Sequence, residues 1–301
     1  MFTGRLIKAS ELDHDLRLEI VRDFEFSYCG KLGLSLPNML VPIESEKYLR
    51  QLTAHSDVSG VVCTPDLVEG IEVDLGVIIA ERPREKVNEI QDFIAQIKGF
   101  QWENFDSKID PSANIHPRAW VADEDVVIGK NVTIEAGAAI YPRTIVEEDV
   151  IIGPNNAIGY DAFESNPTES GLRRFAQSGG VILRRSATLF SNLCVTRAAY
   201  GGFTEIGERS MIDNLVHIAH DCIIGKDVKI IACAELSGRV IVGDNSQIGM
   251  NATILNGITI GSSCDISLGA VVTKDVGSEQ KVTGNFAIPH NDFLSQMRKM
   301  K

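Results

Sequence analysis

The chain holds few side chains able to move a proton at neutral pH. Six histidines occur in 301 residues, and two of them, His217 and His220, stand three apart in the stretch Ile212-Asp-Asn-Leu-Val-His-Ile-Ala-His220-Asp. A neutral imidazole accepts a proton near pH 7, so such a residue suits general-base activation of a nucleophile. The six cysteines, Cys29, Cys63, Cys194, Cys222, Cys233 and Cys264, are scattered with no C-x-x-C pair. They read as reduced small hydrophobes rather than as a disulfide framework or a thiolate cluster.

The elements that must hold His220 are legible around it. Counting by six from Ile206 reaches Ile212, Ile218, Ile224, Ile230, Leu236, Val242, Ile248, Ile254, Ile260, Ile266 and Val272 without a miss. Helices and strands repeat every 3.6 and 2 residues, whereas an unbroken period of six marks a parallel β-helix in which each hexad gives a short strand and a corner. The fifth residue of each hexad, from Ser210 and Val216 to Cys264 and Ala270, is mostly small or apolar and is expected to point inward too. Three hexads make one coil, and each coil buries its apolar face only against its neighbours. Gly238 lies eighteen residues after His220, so its backbone is expected directly over the histidine with no side chain between. A zinc centre needs three protein ligands, and the columns one coil away from His217 and His220 hold no histidine. No metal is expected.

Residues 1–107 lack the repeat and read as a small α/β unit. Glu44 to His55 has helical composition, Ser59-Gly-Val-Val-Cys63 and Gly76-Val-Ile-Ile-Ala80 read as buried strands, and Pro83 opens a helix carrying Val87, Ile90, Phe93, Ile94 and Ile97. Strands alternating with helices imply a partly parallel sheet. The segment from Lys98 to Asn114 reads as the boundary, and a β-helix is assigned to residues 108–283, its phase locked from Ile128 through Ile158. Residues 159–180 break the pattern. It resumes at Ile182, four hexads after Ile158, with Thr188, Cys194 and Tyr200 as the next rungs. An excursion of this length in a compact domain is usually functional or disordered. Residues 284–301 form a short tail, with at least a helical turn expected after Asn291.

A formal net charge of -12 argues against sequence-independent nucleic-acid binding, which depends on basic patches. The first residues lack the pattern of a signal peptide, and no segment approaches the roughly 18 apolar residues of a membrane span. A cytoplasmic protein is expected.

The histidine-centred stretch, followed by Ile223-Ile-Gly225, resembles the active-site segment of UDP-3-O-acylglucosamine N-acyltransferases, which N-acylate an amino sugar in lipid A synthesis. Ile158-Gly-Tyr-Asp-Ala-Phe163 resembles that family's I-G-x-D-G-F turn, and Gln177-Ser-Gly-Gly-Val181 its Q-x-G-G-V. Glu44-Ser-Glu-Lys-Tyr48 is similar to its N-P-K-Y element, and Arg82-Pro-Arg84 to its N-P-R. The resemblance implies a mainly β fold, a left-handed parallel β-helix of hexapeptide repeats behind a small N-terminal α/β domain that holds the nucleotide sugar. It implies a homotrimer with no permanently bound cofactor and an acyl thioester, acyl-CoA or acyl carrier protein, as co-substrate. Carried over by position, the general base falls on His220, its supporting acid on Asp213 with Asn214 beside it, and the oxyanion-binding N–H on Gly238. The tyrosine of the uracil-stacking pair falls on Tyr48.

The sequence also departs from the family. The aromatic partner of the tyrosine is replaced by Pro42, and a histidine associated with substrate phosphate by Ile258. Thr283-Gly-Asn-Phe-Ala287 resembles instead the G-N-P-A ending of coenzyme A-dependent hexapeptide acetyltransferases, with Phe286 in place of proline. The expected activity is therefore N-acylation of a nucleotide-linked amino sugar, for lipopolysaccharide, O-antigen or a related glycan, with acyl-CoA favoured as donor. The lipid A reaction with acyl carrier protein, a sugar O-acetyltransferase and a non-catalytic scaffold are the competing readings. His217 reads as structural, and Tyr48 has the alternative of simply packing its helix.

Overall fold

The computed structural model describes residues 1–168, 171–284, 287 and 289–299. Three parallel sheets, of eight, eight and nine strands, form the faces of a triangular prism. Most strands are two residues long, and neighbours stack eighteen residues apart: Met211 pairs with Lys229, His217 with Glu235 and Ile223 with Ile241. The second residue of each pair points inward, so that Ile212, Ile218, Ile224 and Ile230 lie in one apolar core at no more than 1% exposure. Burying one such side chain stabilises the fold by about 1.5–3 kcal/mol. The fifth-position residues are buried as well. Where that position is serine, its hydroxyl bridges coils: Ser210 Oγ donates to Gly225 O (2.8 Å) and accepts from Val228 N (3.0 Å), and Ser246 Oγ does the same with Gly261 O and Cys264 N.

The corners explain why six residues suffice for a strand and a turn. One residue per hexad adopts left-handed backbone, from Arg209 (φ 56°), Leu215 (60°) and Asp221 (59°) through Asn245, Asn251 and Gly257. Asn, Asp and Gly bear that conformation most easily. Leu215, Cys233 and Arg239 adopt it against their intrinsic preference, so stacking of the coils overrides it.

The interruption is made of two insertions. Ala157 pairs with Cys194, 37 residues on, and Cys194 with His217, 23 residues on, where a plain coil takes 18. The excesses, nineteen and five, add to 24, a multiple of six, so the phase beyond both is the one before them. Because nineteen is not a multiple of six, the rungs between are displaced by one: Leu183, Leu189 and Val195 fill the core at 0% exposure. Ile182, Thr188 and Cys194, expected as rungs, take the outward register, and Tyr200 is not a rung. The first strand of the prism, Lys108–Ile109, falls inside the stretch expected as boundary and pairs with Val127 and Ile128.

The N-terminal unit carries a five-stranded sheet. Tyr28–Cys29, Met39–Ile43, Val58–Cys63 and Gly76–Ile79 run parallel in that spatial order, and Glu19–Arg22 joins Gly76–Ile79 antiparallel. Helix Pro83–Ile94, with proline in its first turn, lays Val87, Ile90 and Ile94 on the sheet. Both insertions complete this core. Phe175 from the first and Tyr200 from the second stack at 5.0 Å, and the Tyr200 hydroxyl donates to Asn88 Oδ1 at 2.9 Å. Gln91 donates to Ser178 Oγ at 2.7 Å, and Gln177 closes the first insertion through a reciprocal pair of 2.8 Å bonds with the Ala162 backbone. Between them Ser165–Thr168 and Gly171–Arg174 form a hairpin. The prism ends at Lys281–Val282, and helix His290–Lys299 follows. Asn285 and Phe286, which carry part of the coenzyme A-type resemblance, lie outside the described residues.

Candidate active site

His220 stands two residues beyond strand His217–Ile218, immediately before the left-handed corner at Asp221. That corner folds the Asp221 carboxylate back on the ring, with Oδ2 2.7 Å from His220 Nδ1. Asp221 is itself fixed from the coil that carries the second insertion: its N–H donates to Thr204 Oγ1 (2.9 Å) and its Oδ1 accepts from Ala199 N (3.3 Å). On the other side of the ring, Nε2 lies 3.1 Å from Glu164 Oε1, at the base of the first insertion. Lys31 Nζ contacts both oxygens of Glu164, at 2.9 and 3.1 Å. The imidazole is 9% exposed. Burial alone would lower its pKa, but hydrogen bonds that the ring donates to Asp221 and Glu164 outweigh that and push it up to about 9. For Glu164 burial acts upward, and the bonds to His220 and Lys31 hold it down to about 2. The two shifts describe one ion pair.

Gly238 sits where the eighteen-residue spacing puts it. A Cβ there would come within 2.4 Å of His220 Nε2 and 2.6 Å of Cε1. The next N–H, of Arg239, donates to His220 O at 2.8 Å, while among the described residues the Gly238 N–H has no acceptor. Asp213 is placed elsewhere. It follows strand Met211–Ile212 on another face, so one face of the prism separates its corner from that of His220. Its Oδ1 accepts from Asn214 N and Nδ2 (2.7 and 2.8 Å) and its Oδ2 from Ala232 N (3.2 Å), which stabilises its own corner. The carboxylate beside the imidazole is that of Asp221, directly next in sequence. Asn214 accepts from the backbone and hydroxyl of Ser191 in the preceding coil. His217 points outward, 3.9 Å from Glu235.

Tyr48 is 38% exposed and lines a cleft of about 340 Å³ with Lys31, Pro42, Glu44, Arg84 and Arg239. Lys31 and Arg239 join this cleft to the histidine, one through Glu164 and the other as the residue after Gly238. Arg84 pairs with Glu44 at 2.6 Å, and Arg239 donates to Asn256 Oδ1 at 2.6 Å. The Nε atoms of both arginines are buried without a hydrogen-bond partner. Such donors suit a polyanionic guest. A larger hollow of about 690 Å³, between Lys108 and Arg185, touches none of these residues.

Sequence reasoning missed Asp221, Glu164, Lys31, Arg84 as a cleft residue, and Arg239. The left-handed corner after His220 was a usable signal for Asp221. Glu164 and Lys31 lie 56 and 189 residues from the histidine, with no periodicity to link them to it.

Residues 125–159 and 203–238 match the family described as bacterial transferase hexapeptide (six repeats), and residues 239–274 the hexapeptide repeat of succinyl-transferase. Hexapeptide repeats thus run through these stretches of the prism. The chain is 34% identical over 158 residues to the UDP-3-O-acylglucosamine N-acyltransferase of Caulobacter sp. (strain K31), covering 52% of this chain and 46% of that one. To the acyl-[acyl-carrier-protein]--UDP-N-acetylglucosamine O-acyltransferase of Campylobacter concisus it is 31% identical, over 56% of this chain and 62% of the other. The chain thus spans about half the length of the curated relatives it matches. LpxA from Acinetobacter baumannii superposes with a TM-score of 0.50 at 21% identity, over 64% of this chain and 75% of that one, and shares the left-handed β-helix. Among the described residues no helix is long and apolar enough to cross a membrane.

Proposed function

We propose that this protein transfers an acyl group from an acyl thioester to the amino group of a nucleotide-linked amino sugar, with His220 as general base. The observation that carries the reading is the buried His220, held by Asp221 at Nδ1 and lying against the bare backbone of Gly238. Asp221 fixes the tautomer that leaves Nε2 to take the proton, and stabilises the imidazolium that forms. A general base of this kind contributes about 10² to 10⁴-fold. The free N–H of Gly238 is the donor for the oxyanion of the tetrahedral intermediate, a comparable effect. No covalent enzyme intermediate is needed.

The cleft supports a nucleoside diphosphate as handle: Tyr48 offers a ring face to the base, while Lys31, Arg84 and Arg239 face the phosphates. In this reading residues 1–107 bind the nucleotide and the prism does the chemistry, in a cytoplasmic homotrimer with acyl-CoA as the favoured donor. Asp213 and Asn214 shape the coil beneath the site. Hydroxyl acylation is the second reading, favoured by the Campylobacter concisus relative. The test is to incubate the protein with UDP- and dTDP-linked amino sugars and acetyl-CoA or a hydroxyacyl-CoA, following thiol release and product mass. Amide formation abolished by His220→Ala is expected. Ester formation on a hydroxy sugar at equal or greater rate, or no thiol release with any acceptor, overturns the reading.

A further inference from the structure

Glu164 has no part in the mechanism just described, yet it lies on the reacting nitrogen. Its Oε1 is 3.1 Å from His220 Nε2, and its two oxygens hold Lys31 Nζ at 2.9 and 3.1 Å. The side chain is 14% exposed. The groups around the pair come from four places: Asp221 on the far ring nitrogen, Lys31 from the N-terminal unit, Tyr200 from the second insertion with its ring 5.9 Å from Lys31 Nζ, and Arg239 from the next coil.

A carboxylate in contact with Nε2 is a poor arrangement for a neutral acceptor. It keeps a proton on the imidazole, so a hydroxyl entering beside it meets an occupied base. For a primary amine the same arrangement fits, because amines near neutral pH are largely protonated and a buried carboxylate is stabilised by pairing with a cation. The protein itself sets a primary ammonium, that of Lys31, on this carboxylate. We propose that Glu164 receives the protonated amino group of the acceptor, where Lys31 Nζ now lies, and so selects amines over hydroxyls. This rests on the acyl-transfer reading.

Protons balance as follows. The ammonium neutralises Glu164, the imidazolium gives its proton to solvent, and neutral Nε2 takes the first proton from the ammonium and passes it to solvent. The free amine attacks the thioester carbonyl, forming the C–N bond, and its next proton goes to Nε2. Collapse of the intermediate breaks the C–S bond, and Nε2 returns that proton to the departing thiolate. As the products leave, the imidazole regains its own proton from solvent, so that overall ammonium and thioester have become amide, thiol and one released proton.

The test compares the full-length wild type with Glu164→Gln and Glu164→Asp, using UDP-glucosamine and UDP-glucose as probes. Binding is measured by calorimetry and by the NMR titration of His220. The wild type is expected to bind the amine at least tenfold more tightly, Glu164→Gln to lose that preference while still binding UDP-glucose, and Glu164→Asp to keep part of it. Equal binding of the two probes by the wild type, or an amine preference intact in Glu164→Gln, overturns the proposal. Thiol release with acetyl-CoA is scored separately. Its absence in the wild type defeats acyl transfer, while the binding comparison still decides the role of Glu164.

Discussion

His220 and Gly238 are one coil apart and in contact: a single added carbon on the glycine would stand 2.4 Å from the nitrogen that must accept a proton. Gly238 is therefore required by its neighbour rather than by its own backbone angles. In Gly238→Ala the ring has to swing away from its place between Asp221 and the next coil. Since a misplacement of about 1 Å can cost about 10²-fold, kcat is expected to fall by about that factor with the melting temperature little changed. Steady-state kinetics beside a thermal melt checks this, and an active Gly238→Ala protein would remove the glycine from the site.

Asp221 and Asp213 are separated by the same assay. Asp221→Asn is expected to lower kcat about 10- to 100-fold, as loss of a carboxylate orienting a working histidine does. Asp213→Asn weakens bonds to Asn214 and Ala232 and is expected to cost about 1 kcal/mol of stability with near-normal turnover. The reverse outcome would restore Asp213 as the supporting acid.

The ion pair of His220 with Glu164 sets a pH dependence. His220 is raised from an ordinary 6.5 to about 9, so its contribution to stability is complete below 6.5 and is lost as pH rises through about 9. Glu164 is lowered from 4.5 to about 2, so its contribution is present above 4.5 and is lost as pH falls toward 2. The melting-temperature gap between wild type and His220→Gln should be widest between pH 4.5 and 6.5 and close by pH 10. A gap independent of pH would show that no charge is shared between the two residues.

Ser210 and Ser246 hold successive coils by the same pair of bonds, 36 residues apart. Ser210→Ala and Ser246→Ala each leave a buried carbonyl and N–H without the hydroxyl, at a cost of about 1–3 kcal/mol. Urea melts of the two single variants and the double variant should give additive losses, because the sites share no partner.

Arg84 and Arg239 line the cleft, and the Nε atom of each is buried without a hydrogen-bond partner. Arg239→Gln is expected to weaken UDP binding about tenfold by calorimetry while the prism melts normally, and unchanged affinity would place the nucleotide elsewhere.

The prism was legible because its period is carried by every inward residue from Ile206 to Val272, and the histidine–glycine contact because eighteen residues make a coil. The displaced rungs were not. Ile182 sits where the extrapolated phase wants an aliphatic residue, and only the ladder of Ile145 with Ile182 reveals that Leu183 is the one that points into the prism. Thr188 and Cys194, poor as rungs, were the visible sign. Asp213 was assigned by position along a motif, whereas support of His220 depends on the direction in which a left-handed corner turns its side chain. Glu164 and Lys31 meet only because the N-terminal core is completed by Phe175 and Tyr200.

Those two insertions act on the prism as a frameshift and its suppressor act on a reading frame. The first moves every later rung by one residue and the second moves it back, so Leu183 to Val195 is a block written in another frame. Had the chain run on from Val195 in plain coils of eighteen, Asp213, Ala219 and Gly225 would be read into the core in place of Ile212, Ile218 and Ile224, and the corner after His220 would present a different side chain to its ring. A deletion that removes either insertion must remove the whole of its excess, nineteen residues or five, for the rungs beyond it to keep their partners.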